Sequence, residues 1–292
     1  MNNFTIDEEF LNKIELLRLK LKDNVAGLFG GNHKSKAYGS SCEFADYREY
    51  VPGDDITKID WNVFARFEKL YLKLFLDERQ MHTKIYIDAS SSMGYDNKGL
   101  RALQIAAAIA FLSIKETDKV SIYYIQNHQV YEIVPPLVSL DVYYNRIVKL
   151  NEIEFTGDSY ISDSLINSQV GYGDGKSIII SDFLTDNDYF SAINFLREKR
   201  RDVLLIQVLS DSELNPFQRG KSIFYDSENN AKQYKKNIDR DVIKAYQEAL
   251  NYTTSKIKNY CLALEADYLL FNSDASLESL FITDFQKQGV LK

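Results

Sequence analysis

Thr83-Lys84-Ile85-Tyr86-Ile87-Asp88, followed at once by Ala89-Ser90-Ser91-Ser92-Met93-Gly94, is the stretch whose reading decides the fold. Its first half is a short run rich in β-branched and aromatic residues, the signature of a strand. Its second half is a Ser/Gly loop, and a helix is expected from about Lys98 to Lys115. The same rhythm repeats downstream. Strands are expected at Val120–Gln126, Gln129–Val134, Ser177–Ser181, Val203–Leu209 and Tyr268–Phe271, with a short edge strand at Ser222–Tyr225. Helices are expected at residues 139–150, 160–169, 188–201, 239–264 and 277–287, with Lys199, Arg200 and Arg201 placed where cations favour a helix C-terminus. Strands apolar on both faces, alternating with helices, imply an α/β fold: a Rossmann-like, mainly parallel sheet with helices on both faces.

Upstream the pattern differs. Thr5 and Glu8 have the spacing of a capping box, and Phe10, Leu11, Ile14, Leu17 and Leu21 recur at helical spacing, so residues 6–22 read as an amphipathic helix. Pro52-Gly53-Asp54-Asp55 is a turn signal, and Leu70–Leu76 reads as a strand. The expected organisation is an N-terminal helix and appended segment over 1–80 and an α/β domain over 81–292.

Composition narrows the function classes. The 292 residues hold 35 Lys plus Arg against 42 Asp plus Glu, a formal charge of −7. That balance gives no global pull toward nucleic acid or anionic membrane. Charged residues at 26% and hydrophobic ones at 45% are those of a globular protein. Two cysteines, Cys42 and Cys261, far apart in sequence, suit reduced thiols in a cytoplasmic protein. The start, Met1 to Phe10, lacks the basic-then-apolar order of a signal peptide, and Ile105–Leu112 is too short to span a bilayer.

Ligands of open α/β sheets bind outside the carboxyl ends of the strands. There the chain reads Asp88-Ala89-Ser90-Ser91-Ser92, Ser181-Asp182, and between them Gly157-Asp158-Ser159 before a helix. Asp88 and Asp182 supply two negative charges; Ser90, Ser92 and Ser159 supply neutral oxygens. This is the hard oxygen set that suits Mg²⁺ or Mn²⁺. If the serines bind directly and the aspartates act through water, the metal stays electrophilic and favours an external carboxylate. A Ser/Gly loop after a strand is also ordinary capping chemistry, but three such pieces at strand ends favour the metal site.

These three pieces resemble the von Willebrand factor A domain and its metal-ion-dependent adhesion site, with Ser159 where that family usually has Thr. Ser keeps the hydroxyl and loses the methyl. Glu43-Phe44, Arg48-Glu49-Tyr50, Pro52-Gly53-Asp54-Asp55, Ile59-Asp60-Trp61 and Ala65-Arg66 resemble the signature of the bacterial domain of unknown function 58 family, with Asp226-Ser227-Glu228 and Tyr246 fitting loosely. That resemblance runs from about Tyr38 to the end. It implies a cytoplasmic bacterial protein, often paired with a MoxR-type AAA+ ATPase and acting in assembly or maturation of other proteins. Read from its residues, the Pro52–Arg66 segment, with Arg48 just before it, is a turn pinned by ion pairs and an aromatic anchor, Trp61, in preference to a second active site.

Gly171-Tyr172-Gly173-Asp174-Gly175-Lys176-Ser177 lacks the first glycine of a P-loop, and a strand follows it where a P-loop needs a helix. His33, His82 and His128 show no metal-ligand spacing, and Lys232 with Lys235-Lys236 reads as a solvated surface. The expectation is a non-enzymatic, metal-dependent protein-interaction module, without nucleic-acid binding or membrane insertion. The rival is a metal-dependent phosphoester hydrolase using the same two aspartates, against which no general base is evident.

Overall fold

The structure is a computed structural model that describes residues 6–24, 35–38, 44–77, 81–168, 175–216, 220–225 and 233–279. The described helices and strands, in chain order, are α1 (Glu8–Asn24), β1 (Ser35–Tyr38), β2 (Phe44–Glu49), α2 (Trp61–Phe67), β3 (Tyr71–Asp77), β4 (His82–Asp88), α3 (Lys98–Lys115), β5 (Lys119–Gln126), β6 (Gln129–Leu137), α4 (Leu140–Ile147), α5 (Ile161–Asn167), β7 (Lys176–Ser181), α6 (Phe190–Glu198), β8 (Asp202–Leu209), α7 (Asp211–Leu214), β9 (Gly220–Tyr225), β10 (Gln233–Ile238), α8 (Arg240–Ala263), β11 (Asp267–Asn272) and α9 (Leu277–Ser279). They form two units, Met1–Phe29 with Met81–Lys292, and Gly30–Gln80.

The larger unit is built on a six-stranded sheet of order β11-β8-β7-β4-β5-β6. All neighbours are parallel except β6, which runs antiparallel to β5. The period of two along β4 splits the interior. Ile85 and Ile87 join one core with the buried face of α3, and Tyr86 joins the other with residues of α5, α6 and α8. Helix α3 is buried almost throughout, and Ala106, Ala107, Ala108 and Ala110 let it lie close to its neighbours. This is the mainly parallel, helix-covered sheet that the strand rhythm predicts.

Helix α1 belongs with this unit, not with the 1–80 segment in which the sequence reading places it. Ile6, Phe10 and Ile14 are buried in the same core as α3. Its cap is Asp7, whose Oδ1 accepts the Phe10 N–H at 2.8 Å; Thr5, the expected capping residue, lies outside the described residues. Ser222–Tyr225 is a strand, but β9 pairs with β10 in a separate antiparallel hairpin and does not edge the main sheet. Arg201 is not a solvated helix-end cation. It is 2% exposed and donates to the carbonyls of His82 and Lys176 and to Ser177 Oγ. Cys261 is a free, buried thiol. Cys42, Gly171–Asp174, Asp226–Glu228, Lys232 and residues beyond Ser279 fall outside the described residues.

The smaller unit is a three-stranded antiparallel sheet of order β1-β3-β2 with α2. Arg48 pairs with Asp54 at 2.7 Å, and Asp54 also accepts the Val51 N–H at 2.8 Å. Gly53, at φ +107°, supplies a left-handed step that a side chain would strain. Asp60 caps α2 through the Asn62 and Val63 N–H groups and receives the Tyr47 hydroxyl at 2.9 Å and Lys73 at 3.1 Å. The pinned turn is thus as expected, but the aromatic anchor is not. Trp61 is 61% exposed and meets Phe64 edge-on, whereas the neighbouring Asp60 is buried.

Candidate metal centre

The site is assembled at the carboxyl ends of β4 and β7. Asp88, the last residue of β4, is wholly buried. Its Oδ1 accepts the Ser90 N–H at 3.0 Å, a turn that reverses the chain just after the strand. Its Oδ2 accepts the hydroxyls of Ser159 at 2.8 Å and Ser181 at 2.6 Å. The hydroxyls of Ser90 and Ser92 lie 3.2 Å apart. Ser159 is brought in by a loop laced to its neighbours: Thr156 N–H donates to the Ala89 carbonyl, Ser91 N–H to the Gly157 carbonyl, and Asn187 Nδ2 to the Ser159 carbonyl. Gly157 has φ +78°, and a Cβ there would collide with the Asn127 side chain. The sequence-predicted residues Asp88, Ser90, Ser92 and Ser159 therefore share one short loop cluster.

Asp182, one residue beyond β7, is engaged differently. Its Oδ1 accepts the Leu184 N–H at 3.1 Å, and its Oδ2 accepts Lys98 Nζ at 2.8 Å. Gln207 holds the Asp182 carbonyl at 2.7 Å and is itself held by the Tyr268 hydroxyl. Lys98 is 2% exposed and makes a second ion pair, with Glu213 Oε1 at 2.7 Å. Glu213 Oε2 accepts the Ser210 N–H in the capping box that starts α7. Lys98, Glu213 and Ser181 were missed by sequence reasoning. A signal for Lys98 existed: a cation in the first turn of α3 is on the wrong end of the helix dipole, which calls for nearby carboxylates.

The electrostatics follow from burial. Burial pushes the Asp88 carboxyl up, the negative charge of Asp182 adds to that, and the hydrogen bonds from Ser181, Ser159 and the Ser90 N–H pull it back only in part. Burial alone would lower Lys98, but Asp182 and Glu213 outweigh it and hold the ammonium above its ordinary value.

Among the described residues no cluster of three or more His, Cys, Asp or Glu could hold a metal ion. A metal here would depend on hydroxyl oxygens. The donor set suits a hard cation: adjacent ligands of an octahedral Mg²⁺ at about 2.1 Å lie about 3.0 Å apart, close to the Ser90–Ser92 separation of 3.2 Å. Asp182, both of whose oxygens already accept hydrogen bonds, suits a role one shell out. The residues present fit the group.

The larger unit is a mostly parallel six-stranded sheet flanked by helices. Similar solved structures include an aerotolerance-related membrane protein from Bacteroides fragilis, 14% identical with a TM-score of 0.41 over 71% of this chain and 99% of that one. The SpRpn10 VWA domain is 8% identical with a TM-score of 0.40, over 73% of this chain and 97% of that one. Uncharacterised proteins of Mycobacterium bovis and Mycobacterium tuberculosis are 30% identical over 111 residues, 37% of this chain. That match spans 35% of those relatives' own length. No described helix is long and apolar enough to cross a membrane. The family model described as protein of unknown function DUF58 matches residues 46–255, and the chain belongs to that family.

Proposed function

We propose that this chain is a protein-interaction module that captures a carboxylate of its partner through a divalent cation, Mg²⁺ or Mn²⁺. Ser90, Ser92 and Ser159 would hold the ion, with Asp88 and Asp182 behind them. The observation that carries the reading is the convergence of Asp88, Ser90, Ser92 and Ser159 at the carboxyl ends of β4 and β7. Neutral hydroxyls leave the ion's charge largely unspent, so it attracts an Asp or Glu side chain. The family resemblance supports a MoxR-type AAA+ ATPase as partner, with a role in assembly or maturation of other proteins in the bacterial cytoplasm.

Calorimetry with Mg²⁺ and Mn²⁺ on wild type, Asp88→Ala, Ser159→Ala and Ser159→Thr tests the site. Saturable binding is expected in wild type and Ser159→Thr, a loss in Asp88→Ala, and at least tenfold weakening in Ser159→Ala. Binding of a purified MoxR-type ATPase should disappear with EDTA. Equal metal heats in all four proteins would overturn the metal reading, and EDTA-resistant ATPase binding would overturn metal-dependent capture.

A further inference from the structure

Of the residues assigned to the metal centre, Ser159 alone comes neither from β4 nor from the loops that directly follow β4 and β7. It lies in the irregular stretch before α5, and the turn between β5 and β6 grips that stretch. Gln126 closes β5, and Asn127-His128 make the turn. Each of the three holds a successive part of the loop. Gln126 Nε2 donates to the carbonyls of Glu154 and Thr156 and to Thr156 Oγ1, between 2.8 and 3.2 Å. The His128 ring stacks on Tyr160, with centroids 3.8 Å apart, and its Nδ1 lies 3.5 Å from Asp163 Oδ2.

Asn127 stands between these two and makes the closest approach to Ser159. Its N–H donates to the Asp158 carbonyl at 3.2 Å, its Oδ1 accepts the Asp158 N–H at 3.3 Å, and its own carbonyl accepts the Ser164 hydroxyl at 3.2 Å. Asn127 and Ser159 thereby pair as a short parallel bridge outside the main sheet. The geometry needs asparagine's particular properties. Its φ is +55°, a left-handed turn position that Asn enters more readily than most residues. A Cβ at Gly157 would lie 2.3 Å from Asn127 Oδ1, so the amide rests directly on the loop backbone. On the far side, Asn187 Nδ2 holds the Ser159 carbonyl at 2.8 Å. The backbone is thus fixed on both sides of Ser159. That matters because a serine hydroxyl turns on a freer χ1 than that of a β-branched residue. Asn127 itself is exposed, so it fills no part of the core.

We propose that Asn127 is a positioning residue of the metal centre: through Asp158 it sets where the Ser159 hydroxyl stands on Asp88. This role rests on the metal reading above and supplies the residue that organises its third hydroxyl. Mg²⁺ tolerates little departure from octahedral geometry, so a ligand on a loosened loop weakens binding even when every ligating side chain is intact.

The test compares the full chain as wild type, Asn127→Gly and Asn127→Asp. Glycine accepts the left-handed φ and removes the amide oxygen; aspartate tolerates the same φ and keeps an acceptor. In EDTA, amide exchange followed by NMR reads the Asp158 N–H, whose acceptor is Asn127 Oδ1. It should exchange about fivefold faster or more in Asn127→Gly, the fold-change that one hydrogen bond supplies, and as in wild type in Asn127→Asp. Calorimetry with Mg²⁺ and Mn²⁺ should show binding weakened about three- to tenfold in Asn127→Gly and retained in Asn127→Asp. The urea midpoint should stay that of wild type in both variants, because the side chain is exposed; this separates positioning from folding. Unchanged Asp158 exchange in Asn127→Gly, undiminished metal binding by that variant, an equal loss in Asn127→Asp, or a lowered urea midpoint alongside the lost metal binding would each overturn the proposal. A wild type that binds neither ion overturns the metal reading and this role with it, whereas failure confined to the Asn127 variants leaves the metal reading standing.

Discussion

Lys98→Met is the perturbation with the largest expected consequence. The ammonium is 2% exposed and lies 2.8 Å from Asp182 and 2.7 Å from Glu213. At an effective dielectric of about 20, each pair at this separation attracts by about 6 kcal/mol, and the cost of dehydrating three charges takes back most of it. Methionine fills the volume of the aliphatic stem but leaves two carboxylates facing each other across the lost cation. Breaking a buried pair by removing one partner costs about 3–5 kcal/mol. For a unit of this size that corresponds to a fall in melting temperature of about 6–20 °C. The assay is urea unfolding followed by far-ultraviolet circular dichroism, read as a lower midpoint with unchanged slope. Added Mg²⁺ should stabilise the variant more than the wild type, because the dication replaces charge that the ammonium took away. Glu213→Gln combined with Lys98→Met should recover part of the loss, since it removes one of the orphaned charges. A loss below about 1 kcal/mol in Lys98→Met would refute the reasoning, since that is the value of a solvated surface pair.

Two further outcomes follow from other parts of the structure. His82 is held at about 4 in the folded chain against an ordinary value of 6.5, so between those limits the unfolded chain binds the proton first and stability falls as pH drops from 6.5 toward 4; His82→Gln should flatten that part of the stability–pH curve, and an unchanged slope would show that the imidazole is not kept neutral by folding. Ile14→Ala, at a 2% exposed position of α1, should cost about 2–4 kcal/mol in urea unfolding, and a cost within experimental error would mean that α1 does not share the core of the larger unit.

The sheet was legible because its strands carry local signals. Ile85-Tyr86-Ile87 and Ile178-Ile179-Ile180 are buried on both faces, so burial and β-propensity agree. The strands β1, β2 and β10 were not legible. Phe44–Glu49 and Gln233–Ile238 are polar and charged in their middle, and what makes them strands is pairing with β3 and β9, a tertiary fact. The candidate site divides along the same line. Asp88, Ser90 and Ser92 sit two residues apart on one turn, a spacing visible in the sequence. Lys98 finds its partners 84 and 115 residues away, and its neighbours in sequence announce only the start of a helix. Arg201 shows the converse error. Three consecutive cations at a helix end look alike in sequence, yet one of them turns inward to satisfy carbonyls of two strands that precede it by 25 and 119 residues.

The arithmetic of the metal centre gives the Lys98 pairing a meaning beyond stability. Asp88, Asp182 and Glu213 are three carboxylates drawn toward one buried region, and Lys98 is the cation that meets two of them. Taken as ionised, the group carries an excess of two negative charges, which a single dication balances. Without Lys98 the excess would be three, and a dication would leave a residual charge to repel an incoming carboxylate. Were the proposed ion bound, Lys98 would thereby set the sign of the field a partner meets. With the ammonium in place and the proposed ion bound, the cluster would be neutral overall, and the positive charge would lie toward the hydroxyl side at Ser90 and Ser92. Ser92 is half-buried whereas Asp88 and Asp182 are buried, so with the proposed ion bound the exposed edge of the site would be the electropositive one. A protein with a formal charge of −7 can present a local attraction for acidic side chains in this way, because recognition at contact distance follows the charges within a Debye length of about 8 Å and not the total.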